Sequence, residues 1–222
     1  MMVRERRAGT AEAAEEKTRD KILDAAGEVF AEHGFEGATI RAITERAGAN
    51  VAAVNYHFRD KSELYSRVVL DACSVRAAWR DAIADAPNSP QARLRSLIYH
   101  FLRLLLDPER PAWKRRLMAR EMSDPTEALD LLVEKNIRPF REEFLMPVLN
   151  ELTGGRCTQR QLGLLSASVM SQCLYYLQCQ PMIERLVPDF KIADAEIDEI
   201  AEHISQFSLA AIAGLNRRAR QS

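Results

Sequence analysis

The sequence predicts an all-α protein. Apolar residues recur at three and four along nearly its whole length, no stretch alternates with a period of two, and Pro- or Gly-containing breaks cut the chain at helical intervals. A composition rich in Ala, Leu, Glu and Arg favours the same backbone. At 222 residues the chain can bury a substantial core without disulfide or metal staples, as one large or two small domains.

Residues 1–16 are charged and Ala-rich, without an apolar stripe, and read as a mobile arm. Arg4, Arg6 and Arg7 suit either a minor-groove contact or a solvated tail. Thr18 then caps a first helix. Ile22, Ala25, Ala26, Val29, Phe30 and His33 mark its apolar face, and Gly34 stops it.

The next stretch, TIRAITERAGANVAAVNYHFRDK from Thr39 to Lys61, is the most informative of the chain. Thr39 is a helix cap, and Ile40, Ile43 and Ala47 form one apolar stripe. Gly48 suits the left-handed residue after a helix, and Asn50 caps the next one. Val51, Val54 and Phe58 then share one face. Ala52, Ala53 and Tyr56 share the opposite one, flanked by Asn55 and His57. Two short helices across a tight turn, then a third started by Asp60 and Glu63, make a helix-turn-helix DNA reader. The alanines let the backbone approach a groove, and an Ala methyl can meet a thymine methyl. Arg41, Ala52, Ala53 and Asn55 are assigned to base edges. Thr39, Tyr56, His57 and Lys61 are assigned to phosphates, with Asn50 completing the surface as cap. Phe30, Phe35, Ile43, Val54 and Phe58 are expected as its shared core.

Residues 62–84 read as a longer helix with Leu64, Val68, Cys73 and Trp79 inward. Ser89-Pro90 starts another, with Leu94, Leu97, Ile98, Phe101, Leu102 and Leu105 on one face. A short helix ends near Met122. The stretch 126–152 is expected to kink or restart at Pro139 and Pro147. Residues 158–180 and 194–216 make the last two helices. The boundaries are therefore 1–16 for the arm, 17–62 for the reader, and 63–222 for a helical second domain.

Lys and Arg number 31 against 32 Asp and Glu, so no strongly basic balance advertises nucleic acid, and the local motif outweighs that global figure. Cys73, Cys157, Cys173 and Cys179 form no C-x-x-C pair, and the four His are scattered. No metal or cofactor is expected, and reduced thiols are read in preference to a redox sensor. His100 reads as a core residue in preference to a ligand or base. There is no G-x-S-x-G, H-E-x-x-H or phosphate loop, so no enzyme is expected. Without a membrane span or signal peptide, the expected location is cytoplasmic.

Residues 18–65 resemble the DNA-binding domain of the TetR family of transcriptional regulators. The resemblance rests on the helix end AEHGFEGATIRAI, the turn ERAGAN and the run VNYHFRDKSELY. It supports the roles above at Thr39, Arg41, His57 and Lys61. At Ala52, Ala53 and Asn55 family members vary with operator sequence. The chain departs from the usual pattern at Asn50, where Ser is common, and at Val51, where Lys or Arg is common. These departures concern base readout and leave the fold intact. The run NVAAVNYHF also resembles a subgroup named for the regulator CecR, which has its own type of effector domain.

The resemblance implies a ligand-responsive repressor that binds double-stranded DNA, at a pseudo-palindromic operator, as a homodimer. It implies a small-molecule effector held in the second domain. Phe101, Met118, Glu121, Met122, Phe140, Gln172, Tyr175 and Tyr176 are the candidates there, an apolar set with a few polar groups that otherwise reads as plain core. Arg120 and Glu121 suit either a polar ligand or the surface. The resemblance also implies dimerisation through the last two helices, whose broad apolar faces ask for more cover than one small bundle gives. The rival readings are a small helical enzyme with an incidental helix-turn-helix and a ligand-blind architectural DNA-binding protein.

Overall fold

The computed structural model describes residues 2–73 and 89–218, with side chains from residue 15 onward. Among the described residues every regular element is helical. The chain divides into two compact units. The first joins Met1–Cys73 to Ala112–Leu132, and the second joins Ser74–Pro111 to Val133–Ser222.

The first unit is built on α1 (Met2–Gly37). Helical backbone therefore runs through the stretch expected as an arm, in keeping with the strong helix preference of Ala, Glu and Arg. The side chains of Arg4, Arg6 and Arg7 lie outside the described set. Ile22, Ala26, Val29 and Phe30 are buried as their spacing predicts, whereas His33, the last of that stripe, is exposed. Helical geometry breaks just after it, at Gly34 with φ 72 and ψ 178.

Three short helices follow: α2 (Ile40–Ala47), α3 (Val51–His57) and α4 (Lys61–Ala72). Each starts on a capping side chain, Thr39, Asn50 and Asp60 in turn. Ile43, Val54, Phe58, Leu64 and Val68 bury against α1. The remainder of the predicted 62–84 helix, including Trp79, lies outside the described residues.

α6 (Ala112–Ser123) and α7 (Glu127–Leu132) complete this unit. The Trp113 ring lies so close over α1 that a Cβ on Gly27 would stand 2.5 Å from it. Lys114 pairs with Asp71 of α4 at 2.9 Å, and the Met118 and Cys73 sulfurs approach to 3.0 Å. These contacts tie α6 to α1 and to the end of α4 within the first unit.

The second unit contains α5 (Pro90–Leu106), capped by Ser89 with Pro90 in its first turn. It also holds α8 (Met146–Leu152), α9 (Gln159–Gln178), α10 (Gln180–Leu186) and α11 (Asp194–Arg218). α11 lies along α5, bridged by Arg95 to Glu202 at 2.9 Å. Thr158 and Gln161 close a reciprocal capping box at the start of α9. The proline-bearing stretch restarts as expected, through two π-helical turns, Val133–Ile137 and Phe140–Leu145. Pro139 has no N–H to donate, so the wider i→i+5 pattern takes over around it. Pro147 sits in the first turn of α8. Helix α10 lies between the two helices expected over 158–180 and 194–216, starting on Gln180 with Pro181 in its first turn.

Candidate nucleic-acid interface

The turn between α2 and α3 is fixed by local chemistry. Thr39 Oγ1 accepts from the Ala42 N–H at 3.1 Å, and Asn50 Oδ1 accepts from the Ala53 N–H at 2.7 Å. Gly48 takes the left-handed conformation, φ 61 and ψ 32, and the Ala49 N–H closes onto the Thr44 carbonyl at 3.0 Å. Arg46 reaches back to α1, 2.9 Å from Glu32 and 3.5 Å from Glu28, which holds α2 at a set angle.

With Val54 and Phe58 turned inward, α3 presents Ala52, Asn55 and Tyr56 to solvent, with Ala53 and His57 half-buried at their edge. Thr39 and Arg41 are exposed on α2, the Arg41 side chain 87% exposed and its Nε 2.8 Å from Glu45. That carboxylate holds the guanidinium further toward its charged form. The Tyr56 hydroxyl, on a side chain 74% exposed, donates to the Glu15 carboxylate, which raises its pKa.

Two positions differ from the sequence expectation. Val51, placed on the inward stripe, is 49% exposed, because the first residue of a seven-residue helix starts before the stripe has turned inward. Lys61, assigned to a phosphate, points back into the unit. Its Nζ donates to the Phe35 carbonyl at 2.9 Å and to the Ala38 carbonyl at 3.3 Å, and lies 4.5 Å from the Phe35 ring centroid. It thus ties the end of α1 to the start of α4 and keeps one N–H for any other acceptor. Arg59 is 84% exposed beside Asp60, a basic group at the reader's edge.

The effector candidates fall in both units. In the first, Met118 is buried against Cys73, and Met122 is partly exposed. Glu121, expected to orient a polar ligand, is fully buried with both oxygens engaged inside the protein. Oε2 accepts from the Tyr65 hydroxyl at 2.6 Å, and Oε1 accepts from the Thr126 N–H and hydroxyl, both at 2.9 Å. In the second unit, Phe101 and Phe140 stack at 5.8 Å with planes 15° apart. Tyr176 stacks on Phe190 at 6.2 Å, Tyr175 is exposed, and the Gln172 amide donates to the Ser168 carbonyl of its own helix at 3.0 Å. His100 is half-buried, and burial lowers its pKa. Among the described residues no three His, Cys, Asp or Glu side chains gather closely enough to hold a metal ion, and no helix is long and apolar enough to cross a membrane.

Comparison with known proteins matches both parts of the chain. Residues 22–68 match the family described as bacterial regulatory proteins, tetR family. Residues 90–212 match the C-terminal domain of the HTH-type transcriptional dual regulator CecR. The chain is 36% identical over 95 residues to the HTH-type transcriptional repressor AcnR of Corynebacterium diphtheriae, over 43% of this chain and 44% of that one. It is 28% identical over 135 residues to the dual regulator CecR of Shigella flexneri, over 56% of this chain and 60% of that one. The matched stretches thus span about half the length of these relatives. In fold it is similar to the transcriptional regulator FadR from Bacillus subtilis, solved in complex with stearoyl-CoA. The TM-score is 0.67 at 14% identity, covering 85% of this chain and 96% of that one.

Proposed function

Because the chain belongs to the TetR family of transcriptional regulators and carries a CecR-type C-terminal domain, we propose that it is a homodimeric repressor released from its operator by a small ligand. The observation that carries the proposal is the outward face of α3. Ala52, Asn55 and Tyr56 stand clear of the core on a helix braced from behind by Val54 and Phe58, with Thr39 and Arg41 exposed on the adjoining α2. Small residues let such a helix sink into a major groove, Asn and Arg read base edges, and the hydroxyls reach phosphates.

Dimerisation through α9 and α11 is supported by large apolar side chains left in solvent on both, Leu164 at 62% and Phe207 at 60% exposed, with Tyr175 and Leu215 beside them in kind. A twofold axis there would place two readers on one duplex and call for a pseudo-palindromic site. An effector site in the second unit is supported by the match of residues 90–212 to the CecR C-terminal domain. An effector that prefers the dimer form mis-spaced for DNA weakens operator binding by the same coupling free energy by which DNA weakens its own.

Selection of bound duplexes from random-sequence DNA tests the reading. The expected product is an inverted repeat held by two chains of 25.1 kDa each. Enrichment of no motif would contradict it.

A further inference from the structure

A cavity of about 550 Å³ opens within the first unit, between the end of α1, the first turns of α4 and the corner joining α6 to α7. None of its lining residues belongs to α3. Ser62 and Ser66 line it from one face of α4, with the ring of Phe35 beside them. Arg120 lines it from α6, its guanidinium laid flat over Gly34. A Cβ on Gly34 would stand 2.8 Å from Arg120 Nε, and the φ of 72 there already favours glycine.

Arg120 has an obvious carboxylate next to it in sequence, but Glu121 is saturated by Tyr65 and Thr126. Among the described residues the Arg120 guanidinium makes no ion pair or side-chain hydrogen bond, and neither do the hydroxyls of Ser62 and Ser66. A planar fork of free N–H groups and two free hydroxyls lining one opening make a receptor for a carboxylate. The charge around it selects further. Glu36, Asp124 and Glu127 line the same cavity without a cation of their own. Three carboxylates against one guanidinium and the imidazole of His33 disfavour polyanions such as nucleotides, and they attract an ammonium group.

We propose that this cavity is a ligand site for a small zwitterion of the free amino acid class, its carboxylate on Arg120 and its ammonium toward the three acids. An occupant touches the end of α1, α4 and the α6–α7 corner at once, so it braces the frame on which the reader is mounted. The proposal does not depend on the repressor reading, because binding is measured without DNA.

The experiment is ligand-observed NMR on the full-length chain. The probes are the common L-amino acids taken singly, with acetate and methylamine as controls bearing one charged group each. At least one amino acid should bind at millimolar concentration or below, with each control at least about tenfold weaker. Arg120→Gln, which removes the charge of an exposed and unpaired side chain, should weaken that binding by about tenfold or more. Ser66→Phe, which fills the cavity from α4, should abolish it. Melting curves establish that each variant is folded, and if Ser66→Phe does not fold, Arg120→Gln decides alone. No binding by any amino acid up to about 10 mM would overturn the proposal. So would acetate binding as tightly as the zwitterion, or binding indifferent to Arg120→Gln.

Discussion

The Tyr65 hydroxyl donates to Glu121 at 2.6 Å, joining α4 to α6 through a buried carboxylate whose other oxygen takes both donors of Thr126. Burial first, and the carboxylate second, raise the Tyr65 pKa well above its usual 10. Tyr65→Phe leaves Glu121 one donor short in a dry site and should cost about 1–3 kcal/mol of stability in a denaturant melt. The pH dependence has a definite sign. A proton held more tightly in the folded state gives stability that is fully present below pH 10 and is lost as pH rises through the folded pKa. The alkaline decline of the native chain should therefore be steeper than that of Tyr65→Phe. Equal slopes would contradict the raised pKa.

Lys61 is predicted to act in two ways. Its contacts with the Phe35 and Ala38 carbonyls make Lys61→Ala destabilising by about 1–3 kcal/mol, measured by thermal melting. If its remaining N–H also meets a phosphate, the same variant lowers the slope of log affinity against log salt by about one. A melt unchanged by the substitution would contradict the tie between α1 and α4.

Arg41→Ala should act on sequence preference. With the guanidinium exposed on α2 and held only by Glu45, its removal should relax discrimination at one operator position by about tenfold, read by competition between single-base variants. Equal weakening on all sequences would reassign Arg41 to the phosphates.

Gly48→Ala isolates backbone strain. The left-handed φ of 61 disfavours a side chain, yet a Cβ there would meet nothing within 4 Å. The substitution should cost about 1–2 kcal/mol in a melt, and Gly48→Asn should cost less. A neutral Gly48→Ala would contradict the turn geometry.

How much of this the sequence makes legible follows from the range of the forces. The caps at Thr39, Asn50, Asp60 and Ser89, the Gly48 turn and the inward stripe of α1 are set by neighbours within one or two turns, and they stand where their spacing predicts. Lys61 and Glu121 do not yield to such rules. Lys61 takes its partners from 23 and 26 residues upstream, and Glu121 takes its tyrosine from 56 residues upstream. Only the packing of α1, α4 and α6 brings them together, so two charged residues that read locally as surface or ligand contacts became internal ties. The effector candidates carry the same ambiguity, since aromatic residues at helical spacing serve a core or a pocket equally well.

The repressor proposal requires that α3 read DNA as one of a symmetric pair. Fluorescence-anisotropy titration tests it most directly, using the DNA upstream of the chain's own gene and a scrambled duplex of equal length, across several salt concentrations. The predicted result is tight, salt-dependent binding that strongly favours the native sequence, with two chains per site. No binding to either duplex at low salt would contradict the claim.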